Sequence, residues 1–224
     1  MKESLQLIVL GTTKFSENGI VVHTLSREYG RRGFLVRVGK KTPLGLLMPL
    51  SLVEAEIVSN PKSELWSAHK LASRAPLYGI RGDLKKNSMT LFMAEVLMRA
   101  VRDGMNEDGL FEWAESSILT LDALQGHFPN YPLRFLLEFA GALGFRPGFE
   151  SIAPFAGSNL KAMQALLESS LQQSLLLPLR GEERNALCEE IIRYLEYHLD
   201  SSLNVRSLAV LRELFREEPN SSNI

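Results

Sequence analysis

The chain has 224 residues, of which 45% are hydrophobic and 23% charged, a balance that excludes a disordered chain. A single cysteine, Cys188, excludes an internal disulfide and a cysteine-rich metal cage. The net charge of −1 hides an asymmetry: residues 1–86 carry 14 Lys/Arg and 7 Asp/Glu, residues 87–224 carry 11 and 19. A basic half suited to a polyanion therefore precedes an acidic half with another task.

At the N-terminus, MKESLQLIVLGTT does not read as a signal peptide. Its apolar run from Leu5 to Leu10 is short, and Glu3 stands where positive charge is expected. PLGLLMPLSLV is interrupted by Pro43 and Pro49 and falls short of a bilayer span. Together with the lone thiol, this points to a soluble protein in a reducing, cytoplasmic setting, away from membranes.

Four strands are expected first. LQLIVL and GIVVHTL flank the turn TTKFSEN; GFLVRVG follows Gly30, with Phe34, Val36 and Val38 on one side and Leu35 and Arg37 on the other; SLVEAEIV ends at Asn60-Pro61. Such closely spaced strands suggest a small antiparallel sheet or barrel. SELWSAHKLASRA is ambiguous: its local pattern fits a helix, and only a place in a closed barrel makes it a fifth strand.

Beyond Pro76 the period changes. Met89, Phe92, Met93, Val96, Leu97, Ala100 and Val101 form the stripe of an amphipathic helix. Leu110 to Leu124 gives a second helix, and PLRFLLEFAGALGFRP a third, with Pro132 at its start and Gly144 as C-cap. Residues 158–176 and 182–199 read as two more, SLNVRSLAVLREL as the last, and residues 217–224 as a frayed tail. The fold class is α+β: a barrel over 1–80 and a helical bundle over 81–216.

YGRRGFLVRVGKK concentrates the positive charge. Arg31, Arg32, Arg37, Lys40 and Lys41, with Arg27 and Lys14 nearby, would line one groove and follow a phosphate backbone. Phe15, Tyr29, Phe34 and Trp66 lie among them. An exposed ring would stack a base, although each ring taken singly reads as core. The alternative is a solvated edge that discourages aggregation; the excess charge of the whole segment favours nucleic acid.

Enzyme chemistry finds no foothold. GRRG lacks the further glycines and Lys-Ser/Thr of a phosphate loop. His23, His69, His127 and His198 have no partner at metal-ligand spacing, and Cys188 reads as a small core residue. Arg99 and Arg102 suit a helix C-terminus. Arg134, beside Phe135 and Phe139, fits either that bland role or the rim of an apolar groove for an acidic-apolar peptide.

IVLGTTKFSENGIVV, LSREYGRRGFLVRVGKK and LMPLSLVEAEI, in that order, resemble the N-terminal domain of the RecO family of bacterial recombination mediators. DLKKNSMTLFMAEVLMRAVRDG, PLRFLLEFAGALGFRPG and SLAVLRELF resemble its helical domain, in the short form of Bacteroides-like members. The resemblance runs from about Ile8 to Phe215. It implies a five-stranded OB-fold, with SELWSAHKLASRA as the fifth strand, and no enzymatic step or cofactor. It also implies binding of single- and double-stranded DNA, strand annealing, and RecA loading on DNA coated by single-stranded-DNA-binding protein. RecR is the implied partner, RecF and RecA are indirect ones, and the acidic tail of the single-stranded-DNA-binding protein would dock near Arg134, Phe135 and Phe139. Two departures stand out. FESIAPFAGSN replaces the zinc cysteines of many relatives, so no metal is expected, and the basic loop after Lys41 is short.

Overall fold

A computed structural model describes residues 2–39, 42–60, 63, 65–126 and 128–216. Its first part has five strands, β1 (Lys2–Lys14), β2 (Gly19–Ser26), β3 (Gly30–Arg37), β4 (Leu52–Val58) and β5 (Trp66–Ser73). They close in the order β1-β2-β3-β5-β4. Every pairing is antiparallel except β3 with β5, where Phe34 meets Trp66 and Leu35 meets Ser67 in parallel register. This is the OB-fold. SELWSAHKLASRA thus supplies a strand, because the gap between β3 and β4 is closed only by its backbone.

The continuous apolar run in β1 follows from its position between two cores. Leu5, Leu7 and Val9 fill the barrel with Val22, Phe34, Val36, Val53 and Ile57. Ile8 and Leu10 point the other way, into a larger core shared with the helices. A strand buried on both faces loses the usual alternation.

The described helices are α1 (Tyr78–Arg81), α2 (Leu84–Ala100), α3 (Leu110–Ala123), α4 (Tyr131–Ala142), α5 (Phe149–Ile152), α6 (Leu160–Glu168), α7 (Leu171–Leu175), α8 (Gly181–Leu199) and α9 (Ser207–Arg216). Asp83 caps α2 by accepting from the Lys86 amide at 2.9 Å. The Lys86 side chain is buried and donates to the carbonyls of Asp122 (3.1 Å) and Leu124, closing the end of α3. Glu95 of α2 accepts from the amide (2.8 Å) and hydroxyl (2.6 Å) of Ser207 and so starts α9.

The single helix expected over 158–176 is two. Ser169 adopts extended backbone, φ −81° and ψ 142°, and its hydroxyl donates to the Ala165 carbonyl at 2.6 Å. Ser170 then caps α7 reciprocally with Gln173. The pair Ser169-Ser170 therefore stops one helix and starts another, which apolar periodicity alone does not reveal. The last helix begins at Ser207, five residues after Ser202, where the pattern had started it. The 217–224 tail lies outside the described residues, as does His127.

Candidate nucleic-acid interface

One end of the barrel opens into a cleft of 1140 Å³. Its walls are the β1–β2 turn from Phe15 to Asn18, the end of β3 with Leu35 and Arg37, and β5 with His69 and Lys70. Phe15 is 61% exposed. A ring that size left in water costs apolar burial, so a surface that offers it beside cations suits a flat, anionic ligand. Register puts the cations at the same end: Lys14 pairs with Ile20, and the neighbouring Gly19 pairs with Arg37. Lys14 and Arg37 are exposed, and no ion pair among the described residues engages either. Lys40 and Lys41, which follow β3, lie outside the described residues.

Lys70 was missed by the sequence reading. It sits where β5 slips register against β4, with a left-handed φ of 51°. Its ammonium donates to Glu56 at 3.1 Å, alongside Lys2 at 3.0 Å, and the two lysines hold the Glu56 carboxyl below the usual carboxylate range. Lys70 remains 76% exposed, so this surface pair is weak and exchangeable. The fifth strand that the family resemblance implied for SELWSAHKLASRA was the signal that could have found Lys70.

The rest of the expected basic track is divided, because the GRRG end of β3 meets the helical unit. Gly30 has φ +57°, and a Cβ there would overlap the Met105 carbonyl. The Arg31 amide donates to Met105 O at 3.2 Å, and the Gly104 amide to Arg31 O at 2.8 Å. The Arg31 side chain, 19% exposed, donates from Nε to Val101 O at 2.6 Å and lies 3.6 Å from Asp103. Arg27 pairs with Glu112 and sits 5.2 Å from the Phe111 ring centroid. Arg74 pairs with Glu115. Acidic residues of the helical half thus meet three barrel arginines.

Arg32 stacks 3.7 Å over Trp66, with Tyr29 at 5.9 Å, and the two rings meet edge-on. Phe34 is wholly buried. Of the four aromatics singled out, only Phe15 is freely offered to a ligand. The continuous track is corrected to a cleft at the free end (Phe15, Arg37, Lys70), with Lys14 at the same end of the barrel, and an arginine-bearing junction with the helices (Arg27, Arg31, Arg32).

The expected peptide groove also needs correction. Phe135 and Phe139 are 1% and 0% exposed and stack with Trp113 at 5.2 and 5.4 Å. Being four apart, they share the inner face of α4, while Arg134 stands on its edge. Arg134 donates to Glu138 at 2.7 Å and to the Ser169 carbonyl at 3.1 Å, and remains partly exposed. The two rings are buried with Trp113 and are out of a peptide's reach. Close to them, Trp113, Glu138, Gly141 and Arg146 line an open recess of 290 Å³.

Among the described residues no His, Cys, Asp or Glu side chains gather as a metal site requires, and no helix is long and apolar enough to cross a membrane. Cys188 is buried, and burial pushes its thiol up to about 12, leaving it unreactive.

These features define an α+β protein in which an OB barrel carries an all-helical unit. Residues 1–73 match the model of the recombination protein O N-terminal domain and residues 81–153 that of its C-terminal domain. The chain is 31% identical to the DNA repair protein RecO of Phocaeicola vulgatus, over 93% of this chain and 97% of that one. It is 30% identical to the Bacteroides fragilis protein of the same name at the same coverages. The Flavobacterium psychrophilum protein is 24% identical over 96% and 100%. The chain belongs to the RecO family of DNA repair proteins.

Proposed function

We propose that the protein is a non-enzymatic DNA-binding mediator of recombinational repair. The observation that carries this reading is the exposed Phe15 ring beside Arg37 and Lys70 in the barrel cleft. The ring stacks a base while Lys14, Arg37, Lys70 and the following Lys40 and Lys41 neutralise phosphates. Arg27, Arg31 and Arg32 contribute at the junction. Screening the repulsion between two strands while leaving their base edges free promotes annealing, and no covalent step is required.

The helical unit recruits proteins. Its ligand is the acidic tail of the single-stranded-DNA-binding protein, anchored by Arg134 after exchange of Glu138, and RecR joins the assembly for RecA loading. The site of action is the cytoplasm, at the nucleoid.

Phe15→Ala combined with Arg37→Ala tests the cleft by fluorescence anisotropy of a labelled single strand. Loss of the stacked base alone costs about 1–3 kcal/mol, so affinity falls at least about fivefold; an unchanged affinity leaves the barrel as a surface for an acidic protein partner. Arg134→Glu is expected to abolish binding of an acidic, Phe-terminated peptide with DNA affinity retained. Retained peptide binding would place that contact elsewhere.

A further inference from the structure

A second recess, of 530 Å³, lies where the barrel meets the helical unit, lined by Val21, His23, Arg31, Arg32, Gly33 and the Asp103-Gly104 turn, with Leu65 at its edge. Strand alternation puts Arg31, Gly33, Leu35 and Arg37 on one outer face of β3. The recess and the Phe15 cleft therefore sit at the two ends of one strand face, about 20 Å apart at 3.3 Å per residue. Gly33 keeps the floor open, since a Cβ there would press on Val21 at 3.0 Å and approach His23 at 3.7 Å.

Asp103 faces this recess in an unusual way. Its carboxylate is 70% exposed yet rests 3.6 Å from Arg31 Nη1. It is brought there by backbone: the Gly104 amide donates to the Arg31 carbonyl at 2.8 Å, and Gly104 takes φ +76° at the turn. Arg31 Nε is committed to the Val101 carbonyl, so the guanidinium is held in place whether or not Asp103 is present. A fixed guanidinium with a solvent-exposed, loosely placed carboxylate before it has the form of an anion site with a weak internal occupant.

Building on the reading that the barrel holds nucleic acid, we infer that this recess takes one backbone phosphate of a single strand running along β3 from the Phe15 cleft, and that Asp103 occupies the phosphate position in the resting protein. DNA displaces the Asp103 carboxylate, which swings into solvent. Asp103 thereby lowers affinity for any strand too short or too weakly held to compete with it.

The test is anisotropy of a labelled oligothymidylate with the full chain, its Asp103→Asn variant and a Glu150→Gln control. Glu150 is an exposed acid on α5, so the control removes the same charge at a site away from the recess. Removal of a weak surface competitor is expected to tighten binding about two- to fivefold. The Arg31 phosphate contact is made in both proteins, so the log–log salt slope, which counts phosphates neutralised in the complex, is unchanged. The control shows no gain in affinity. Equal behaviour of the two variants, while both bind the oligonucleotide, overturns the role of Asp103 and leaves the DNA reading standing. Absence of binding by all three proteins at low salt overturns both.

Discussion

Glu190 illustrates what a single buried side chain does in this molecule. It is 4% exposed; one carboxylate oxygen accepts from Asn159 at 2.7 Å and the other has no hydrogen-bond partner among the described residues. Burial pushes its carboxyl above the usual range, with Asn159 and Arg193 pulling in the opposite direction. A folded-state value above the unfolded one means that the native state binds the proton more tightly. The stability associated with that proton is present below the unfolded value and is lost as pH rises through the folded one. Glu190→Gln keeps an acceptor for Asn159 without the charge, and is expected to stabilise the protein by about 1–2 kcal/mol at neutral pH. The gain shrinks as pH falls. Thermal melts at two pH values check this, and a gain that is constant or grows in acid contradicts it.

At this scale the sequence was legible where side-chain type alone decides. Cys188 was readable as core from its apolar helical neighbours, and so was Phe34 from strand alternation. Phe15 and Phe34 are the same residue type in the same basic segment. Their places separate them: Phe15 lies in the β1–β2 turn, which TTKFSEN already marked, and Phe34 lies inside β3. Arg134 and Phe135 are adjacent in sequence but a hundred degrees apart around α4, and adjacency misleads there.

Elements are joined through close backbone contacts. Gly30 lets the 104–105 turn lie against β3, since its φ is +57° and a Cβ would overlap the Met105 carbonyl. Gly104 has φ +76° but open space around its Cβ position. Gly104→Ala therefore meets only the left-handed penalty, about 1 kcal/mol. Gly30→Ala also displaces the turn and its hydrogen bonds, for a loss of more than about 2 kcal/mol. Denaturant unfolding of the two variants measures the difference, and equal losses would contradict the packing role of Gly30. The strands of the barrel and the stripes of α2, α3 and α4 follow from period and punctuation. The fifth strand does not, because its reason for being a strand is the gap it fills between β3 and β4. The break between α6 and α7 was written in Ser169-Ser170 and Gln173 as a capping pattern, but the apolar period runs across it.

On the scale of the whole molecule, charge asymmetry marked the barrel as the basic part but could not tell which cations are offered to solvent. Arg27, Arg31 and Arg74 meet Glu112, Asp103 and Glu115 of the acidic half, so part of the basic excess is used to join the two halves. Ile8, Leu10, Leu25, Leu50 and Leu52 extend the helical core into the barrel, which leaves the Phe15 cleft at the free end as the principal cationic face. The central claim is that this face binds a polyanion directly. A salt titration of a labelled single strand measures it: three to five phosphate contacts give a log–log slope of about −2 to −3.5, reduced in the variant that lacks both Phe15 and Arg37 side chains. A slope near zero, or the same slope in that variant, would contradict the account.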